Sequence, residues 1–578
     1  MADCPFNPGS ETIADFIYRY GSRQLDLEDT SQFPCIDVVS SDYAIIHLPL
    51  EAAAPISLQR YPYYSIPGLF SLLDTGAMDA SGILAVFNTR ALSNMGEGVL
   101  VGIVDTGIDY QDPLFRYNDG STRIQGIWDQ SLPKEPDEIP PGVPAYFENG
   151  GASYGTEYTH QQINEALDSE NPLSLVPVSD PTGHGTFLAG LAAGGSLPEQ
   201  DFTGAAPHSE LVIVKLKPAK QYLRNFYLVS HDADAYQEND IMMGLKYLRV
   251  TAARLRRPLV ILLGLGSNLG SHQGTSPLSG IFQSYSGYFG IASVIAGGNE
   301  TGMAHHYLGT IDTEDQWEDV EIRVGEREAK GGFVTELWAS STDIFSVGFI
   351  SPSGERIGRI PIIASNETVI PFFLEPTVIT VNYQLIEAGS GRQMIFLRFE
   401  APTAGIWTIR VFSTQRLTGE YHMWLPSSGF ISDETVFLRP DPYNTITDPA
   451  NTASPISVGA YNHRDNSIYI HSSRGYAIGG SIKPELAAPG VNVSGPAPDS
   501  PRLTTRTGTS IAAAITAGAV ANLLSWGIVE GNAPAMSEMS IKSYLIRGAK
   551  RNPAQDYPNP QWGYGALDLY QTFLSLRE

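Results

Sequence analysis

The sequence predicts an α/β protein: a parallel sheet with helices on both faces, preceded by a small α+β domain and interrupted by an inserted all-β domain. From residue 99 onward, short apolar runs alternate with glycine-rich turns and helix-like segments, as in a parallel sheet. Between about residues 310 and 440 the helical signal gives way to successive strand-like runs. We therefore expect domains at 1–75 and at 310–440, with 76–309 and 441–578 together forming the α/β domain.

The N-terminal domain is expected to contain one helix, Glu11 to Tyr20, and then one strand, Tyr43 to Leu48. Cys4 and Cys35 are the only cysteines, so a disulfide framework is not expected, and a single bridge stays open. The first residues lack the basic and apolar segments of a secretory signal, which favours synthesis in the cytoplasm.

The α/β part shows four short apolar runs that predict buried parallel strands: Val99 to Val104, Leu211 to Leu216, Leu259 to Leu265 and Ala292 to Ala296. The pattern resumes after Ile456 and ends in an apolar helix that begins near Ser510. No apolar run reaches the roughly 18 residues that span a bilayer. We therefore expect no transmembrane segment.

The inserted part contains six strand-like runs separated by Gly, Pro and Asn: Phe333 to Trp338, Phe345 to Ile350, Thr377 to Ile386, Gln393 to Phe399, Trp407 to Phe412 and Tyr421 to Leu425. This pattern predicts an antiparallel β-sandwich.

The composition is that of a packed globular protein, with 42% hydrophobic and 17% charged residues. The formal net charge is −26. Because such a field repels phosphate groups, a general role in binding nucleic acid or anionic lipid is disfavoured.

A buried strand delivers a carboxylate in the run Val101 to Ile108, where Asp105 follows the apolar residues and precedes a glycine turn. Catalytic groups in open α/β sheets gather at such strand ends. The motif is weak on its own, because Asp-Thr-Gly also occurs in aspartic proteases and in ordinary turns. A second copy, Asp74 to Gly76, lies outside the context that aspartic proteases require.

A histidine and a serine each open a predicted helix. His184 lies in the glycine-rich run Gly183 to Gly190, and Ser510 lies in Gly508 to Ala514. The simpler interpretations are a core histidine or helix cap for His184 and a helix cap for Ser510. Serine becomes a nucleophile only when a base takes its proton, so a catalytic role requires Asp105, His184 and Ser510 to meet.

The three residues occur in the chain order Asp, His, Ser, each within its own glycine-rich motif. This combination resembles the subtilisin family of serine proteases. The resemblance covers essentially the whole chain. It implies a subtilisin-like sheet, serine endopeptidase activity and a catalytic triad of Asp105, His184 and Ser510.

Two further segments resemble parts of that family. Ala296 to Glu300 is similar to the oxyanion-hole segment, which implies that the Asn299 amide and the Ser510 backbone N–H stabilise the oxyanion. Leu262 to Gly266 is similar to the substrate-binding strand, in which peptide backbone would pair with Gly264, Leu265 and Gly266. Gly264 stands where the family has a serine, and the primary specificity pocket is left undetermined.

The place of the insert, between Asn299 and Ser510, is similar to that in the clostridial Csp germination proteases. This resemblance implies that residues 1–75 are a prodomain acting as chaperone and inhibitor, that the insert is a jelly roll, and that the chain cuts itself near Thr75, within Leu72 to Met78. It implies a protein substrate, the precursor of a spore cortex hydrolase, and incorporation into the spore. We expect no cofactor and no obligatory metal, since no EF-hand loop is present in the sequence.

Two other classes of function compete with this interpretation. A pseudoprotease would keep the fold and act by binding a partner. A carbohydrate- or partner-binding protein would use the insert, with Trp338, Trp407 and Trp424 as exposed contacts, although core packing also explains these residues.

Overall fold

The computed structural model describes residues 4–19, 35–40, 42–72, 79–89, 92, 95–133, 154–197, 199, 202–313, 316–363, 367–498 and 500–576. Its N-terminal part is an antiparallel sheet with the strand order β1–β3–β2, formed by β1 (Ile13–Arg19), β2 (Ile36–Val38) and β3 (Tyr43–Pro49) and followed by α1 (Leu50–Ala53). Cys4 and Cys35 form a disulfide bond beside this sheet.

The helix expected over Glu11 to Tyr20 is wrong, because these residues form β1. All residues from Ile13 to Ile17 are buried, so both faces of the strand are covered. A strand buried on both faces lacks the alternation that distinguishes it from a buried helix. Two short elements, β4 (Leu69–Leu72) and α2 (Ile83–Phe87), lead from this part into the central domain.

The first section of the central domain alternates strands and helices: β5 (Leu100–Asp105), β6 (Ile124–Asp129), β7 (Thr156–Thr159), α3 (His160–Leu167), α4 (Pro172–Leu175), α5 (His184–Ala193), β8 (Glu210–Lys215), α6 (Gln221–Tyr227), β9 (Tyr236–Gln237), α7 (Glu238–Leu255), β10 (Leu259–Leu263), β11 (Leu265–Gly266), α8 (Pro277–Tyr285) and β12 (Ile291–Ala296).

An antiparallel β-sandwich follows in the chain: β13 (His306–Thr310), β14 (Trp317–Val324), α9 (Glu326–Gly331), β15 (Phe333–Ala339), β16 (Ile344–Ile350), β17 (Arg356–Ile357), β18 (Glu367–Pro371), β19 (Val378–Gln384), β20 (Gln393–Glu400), β21 (Gly405–Gln415), β22 (Glu420–Trp424) and β23 (Val436–Phe437). One sheet has the order β13–β22–β15–β20–β19–β18 and the other β17–β16–β21–β14–β23. The apolar faces of the two sheets share one core.

The chain then returns to the central domain with β24 (Ile456–Asn462), β25 (Ser467–Ile468), β26 (Leu486–Pro489), β27 (Val493–Ala497), β28 (Ser500–Arg506), α10 (Thr509–Leu524), α11 (Glu538–Gly548) and α12 (Leu569–Ser575). The central sheet has the order β25–β24–β12–β10–β5–β8–β6–β7, with β26 beside β24. It is parallel through its centre, and β7 and β25 pair antiparallel at its ends.

Helices cover both faces of this sheet. The helices α5, α10 and α11 pack on one face and contribute to the largest apolar core. The helices α7 and α8 pack on the other face, where β1 and β3 of the N-terminal sheet join the same core. The predicted α/β class, with a parallel sheet between helices, is confirmed.

Helix α10 with the turn after it, Thr509–Val529, is long and apolar enough by length and composition to cross a membrane. However, 89% of its apolar window is buried inside the protein. The helix runs through the largest apolar core. The small side chains of the helix let the sheet approach it closely.

The three tryptophans considered as exposed binding residues are buried. Trp338, Trp407 and Trp424 are each at most 1% exposed. Trp407 lies in the core of the sandwich, whereas Trp338 and Trp424 pack where the sandwich meets the central domain and the N-terminal sheet. Core packing therefore explains them, and the interpretation as exposed ligand contacts is wrong.

The three parts of the chain meet at one buried carboxylate, Glu336 on β15. It accepts hydrogen bonds from the Tyr63 hydroxyl at 2.6 Å, the Gly270 N–H at 2.8 Å and the Trp338 indole N–H at 2.8 Å. Burial raises the pKa of Glu336, against the effect of its hydrogen bonds. This carboxylate ties the N-terminal part and the central domain to the sandwich.

Candidate active site

Asp105 is the last residue of β5, at the carboxyl end of the central sheet. Its Oδ1 accepts hydrogen bonds from the Thr106 N–H at 2.8 Å and from the His184 ring at 2.7 Å. The carboxylate is 1% exposed. A buried carboxylate hydrogen-bonded to Nδ1 fixes the histidine tautomer, so that the other ring nitrogen can accept a proton.

His184 is the first residue of α5, and its Nε2 lies 3.3 Å from Ser510 Oγ. The glycines around it are required for close approach. A Cβ on Gly185 would lie 2.2 Å from the Gly107 carbonyl oxygen, and Gly183 has φ +71°, in the left-handed region. The ring therefore lies between Asp105 and Ser510.

A residue missed by the sequence analysis, Asp180, fixes the start of α5. It accepts hydrogen bonds from the Thr106 hydroxyl at 2.6 Å, the Gly183 N–H at 3.0 Å and the Thr186 N–H at 2.7 Å. The Thr106 hydroxyl in turn accepts a bond from the Gly185 N–H at 3.0 Å. Asp180 and Thr106 thus lock the His184 helix to the Asp105 strand. An aspartate three residues before the Gly-His motif was the available signal.

Ser510 is the second residue of α10, where the backbone N–H groups of the first turn have no carbonyl partner within the helix. Asn299 follows β12, and its Oδ1 accepts a hydrogen bond from the Thr509 N–H at 3.1 Å. Because a backbone N–H can only donate, this contact identifies the amide oxygen and leaves the Asn299 NH₂ group as a donor. The Asn299 amide and the first turn of α10 therefore lie side by side.

Gly264 lies against the paired Asp105 and His184. A Cβ there would be 2.7 Å from Leu188 Cδ1, 3.1 Å from His184 Cε1 and 3.3 Å from Asp105 Oδ2. That Oδ2 is buried and has no hydrogen-bond partner among the residues that the structure describes. The glycine at this position allows the strand to approach the ring closely.

The predicted substrate-binding strand already pairs with another segment of the same chain. The strand β4 lies between β9 and β11 in a sheet of order β11–β4–β9. Leu265 and Gly266 pair antiparallel with Leu72 and Ser71. Since β11 follows Gly264, the carboxyl end of β4 is the end nearest the triad residues. The expected cut near Thr75 falls in residues 73–78, outside the described residues.

Metal ligands are not grouped anywhere in the part of the chain that the structure describes: no three His, Cys, Asp or Glu side chains lie together as a metal would require. The sequence-based expectation of no cofactor stays a prediction.

Residues 96–326 and 439–565, more than half of the chain, match the model of the subtilase family, peptidase family S8. The chain belongs to the subtilase family. The stretch between the two matched segments of this subtilase contains most of the sandwich.

The subtilase is similar to solved structures and to curated proteins. It is similar to the CspB protease of Clostridium perfringens, with 32% identity and a TM-score of 0.75, over 87% of this chain and 98% of that chain. It is also similar to the subtilisin-like proteases SBT3.8 and SBT1.9 of Arabidopsis thaliana, each 26% identical, over 31% and 23% of this chain. These matches span 23% and 18% of the two plant proteins. The resemblance to a Csp-related subtilase is confirmed.

Proposed function

We propose that the chain is a serine endopeptidase. The observation that carries the proposal is the continuous contact from Asp105 through His184 to Ser510, with separations of 2.7 and 3.3 Å. The same contacts favour an enzyme over a pseudoprotease, since a binding scaffold needs no buried acid, base and hydroxyl in line.

The reaction begins when Ser510 Oγ bonds to the carbonyl carbon of a peptide and its proton passes to His184 Nε2. The Asn299 NH₂ group and the Ser510 N–H donate to the oxyanion that forms. His184 then gives its proton to the departing amine as the C–N bond breaks. Water repeats the sequence on the acyl-enzyme, releases the carboxylic acid and regenerates Ser510. Asp105 orients the ring and stabilises the imidazolium in both halves.

Labelling by a fluorophosphonate, followed by peptide mass mapping, tests this proposal. We expect the label on Ser510 in the wild type and its loss in both Ser510→Ala and His184→Ala. Ser525→Ala is the matched control, because Ser525 directly follows α10, is buried, and donates to the Glu97 carbonyl. An unlabelled wild-type Ser510, or an equal label in Ser510→Ala, would contradict the proposal.

We further propose that residues 1–75 act as a prodomain and that the chain cuts itself within Leu72 to Met78. The position of β4 between β9 and β11 supports this, because a chain entering the cleft as an antiparallel strand leads towards Ser510. Intact-mass analysis and N-terminal sequencing test it against Ser510→Ala. We expect a cut within that segment that is independent of protein concentration and absent from the variant, and a mature N-terminus outside about Tyr64 to Asn94 would contradict the proposal. The same cut in Ser510→Ala would contradict self-processing.

A finer proposal concerns the biological substrate. We propose limited cleavage of a spore cortex hydrolase precursor, with the enzyme held in the spore and the sandwich, as a jelly roll, giving rigidity without an obligatory metal. The likeness to CspB and the place of the insert support this. Purified enzyme and precursor should give one defined cleavage that Ser510→Ala does not, and chelator should not abolish it. Degradation of the precursor into many fragments, or no cleavage of the precursor, would contradict this role.

A further inference from the structure

The space beside the proposed oxyanion donors is bordered by two backbone segments. One is Leu265–Gly266, which forms β11 and pairs with β4; the other is Gly297–Gly298, which directly precedes Asn299. The parallel pairing of β10 with β12 holds the two segments next to each other. On the proposed mechanism, a peptide whose carbonyl reaches both Ser510 and Asn299 would place the side chain of that residue between these segments.

A threonine from a distant part of the chain lies between these two segments. A Cβ on Gly266 would lie 2.4 Å from Thr447 Oγ1, and a Cβ on Gly298 would lie 2.7 Å from Thr447 Cγ2 and 2.8 Å from its Oγ1. A side chain on either glycine would therefore meet Thr447, whose side chain occupies the space between them.

Thr447 cannot easily move aside, because its backbone is tied to both segments. Its N–H donates to the Gly297 carbonyl at 3.1 Å, and its hydroxyl lies 3.3 Å from the same oxygen. The next residue, Asp448, exchanges two backbone hydrogen bonds of 2.9 Å each with Ser267, which follows Gly266. Thr447 itself is 2% exposed.

We propose that Thr447 determines specificity by limiting the residue before the scissile bond to a small side chain: Gly, Ala, Ser or Thr. This inference rests on the proposed endopeptidase function and assigns its substrate class. Larger side chains such as Leu, Met or Phe would have to displace a buried, hydrogen-bonded threonine. Overfilling a packed site in this way costs free energy in the transition state.

Peptide amides that differ only in the residue before a fluorogenic leaving group test the inference. We expect the wild type to favour Ala over Leu by at least about 100-fold in kcat/KM, and Thr447→Gly to reduce that ratio by at least about tenfold. Thr447→Val keeps the volume and should keep the ratio. The control Thr445→Ala lies in the same loop, where Thr445 contacts Thr301 and Arg474, and it should also keep the ratio.

The outcomes separate the inference from the function on which it rests. Ser510-dependent hydrolysis with Leu or Phe preferred, or an unchanged ratio in a folded Thr447→Gly, would contradict the inference alone. Hydrolysis absent for every peptide, together with an unlabelled Ser510, would contradict the proposed function. If Thr447→Gly fails to fold, the order of preference among the peptides still tests the inference, both in the wild type and in Thr447→Val, which should keep that order.

The chain's own cut gives a second readout that needs no added peptide. Within residues 72–78 the small residues are Thr75, Gly76 and Ala77, so we expect cleavage after one of these. A mature N-terminus at Asp74, which follows Leu73, would contradict the size limit while leaving self-processing intact.

Discussion

At the scale of single residues, the hydrogen bond from His184 Nδ1 to Asp105 Oδ1 decides which ring nitrogen faces Ser510. With the proton on Nδ1, Nε2 carries a lone pair directed at the serine hydroxyl, 3.3 Å away. An amide in place of the carboxylate offers an NH₂ group as readily as an oxygen, which would favour the opposite tautomer. The tautomer of His184 therefore depends on the Asp105 side chain being a carboxylate rather than an amide.

We therefore expect Asp105→Asn to lower kcat by about 10⁴-fold with little change in fold. Ser510→Ala and His184→Ala should lower activity by several orders of magnitude, and combining any two should add little more, because the three residues act as one unit. Steady-state kinetics with circular dichroism checks this. Activity within tenfold of wild type in Ser510→Ala would contradict the mechanism.

Asn299→Ala should lower kcat by about 100- to 1000-fold and leave KM nearly unchanged, because the lost donor serves only the developing oxyanion. Single-turnover measurements on the folded variant separate the chemical step from binding. A raised KM with an unchanged kcat would instead assign Asn299 to ground-state binding of the substrate.

The residues of the proposed triad could be predicted from sequence because each lies in its own glycine-rich motif. Asp180 leaves a local signal, three residues before the Gly-His motif, which the sequence analysis did not use; it acts through backbone N–H groups of α5. Thr447 leaves no such signal, because its loop reaches Gly266 and Gly298 only after the whole sandwich has intervened in the chain.

At the scale of elements, the N-terminal sheet is held by a buried charge network with one member on each strand. His47 on β3 contacts Asp15 on β1 at 2.8 Å and Asp37 on β2 at 3.2 Å. Lys220 of the central domain contacts the other oxygen of Asp15 at 2.8 Å, and Gln237 donates to that oxygen at 3.1 Å. This network explains why β1 tolerates the charged residue Asp15 in a fully buried run. In the sequence alone, Asp15 only interrupts the apolar pattern.

Burial lowers the pKa of His47, but its hydrogen bonds to Asp15 and Asp37 and their charges outweigh burial and raise the pKa to about 9. The folded protein therefore binds this proton more tightly than the unfolded chain, whose histidine has a pKa of about 6.5. The stabilisation is complete below about pH 6.5, is lost as the pH rises through 9, and amounts to about 3 kcal/mol.

We expect the opening free energy of β1 and β3 to fall between pH 6.5 and 9.5. Hydrogen exchange with mass spectrometry, corrected for intrinsic rates, measures it. The fall should be smaller in His47→Gln, and peptides from β19 in the sandwich serve as an internal control. An equal fall in His47→Gln would assign the pH effect to other groups.

At the scale of the whole molecule, the N-terminal sheet contributes to two cores rather than to one of its own. Ile17 and Ile45 pack in the core formed with α7 and α8. Phe16 packs in a second core with Phe226 of α6 and Trp338 of the sandwich. The sequence predicts three separate domains. Strand β1, however, is buried on both faces by the other parts of the chain. This burial arises only when the parts assemble, so the composition of the N-terminal part alone does not reveal it.

We therefore expect the N-terminal fragment to stay bound after cleavage and to elute with the rest of the protein in gel filtration, separating only in denaturant. Phe16→Ala should promote separation, because Phe16 is 4% exposed and its truncation costs about 3–5 kcal/mol. The matched control is Tyr18→Ala on the same strand, where Tyr18 is 42% exposed. Free fragment from the wild type in native buffer would contradict this.

The docked N-terminal sheet makes β4 a tethered competitor for the cleft between β9 and β11. A tethered segment acts at an effective concentration on the order of millimolar. A free polypeptide at micromolar concentration therefore competes with β4, whose effective concentration is roughly 1000-fold higher. Proteolysis of other proteins would then be governed by how often the three-stranded ladder opens, and adding substrate would raise the rate only until that opening frequency is reached.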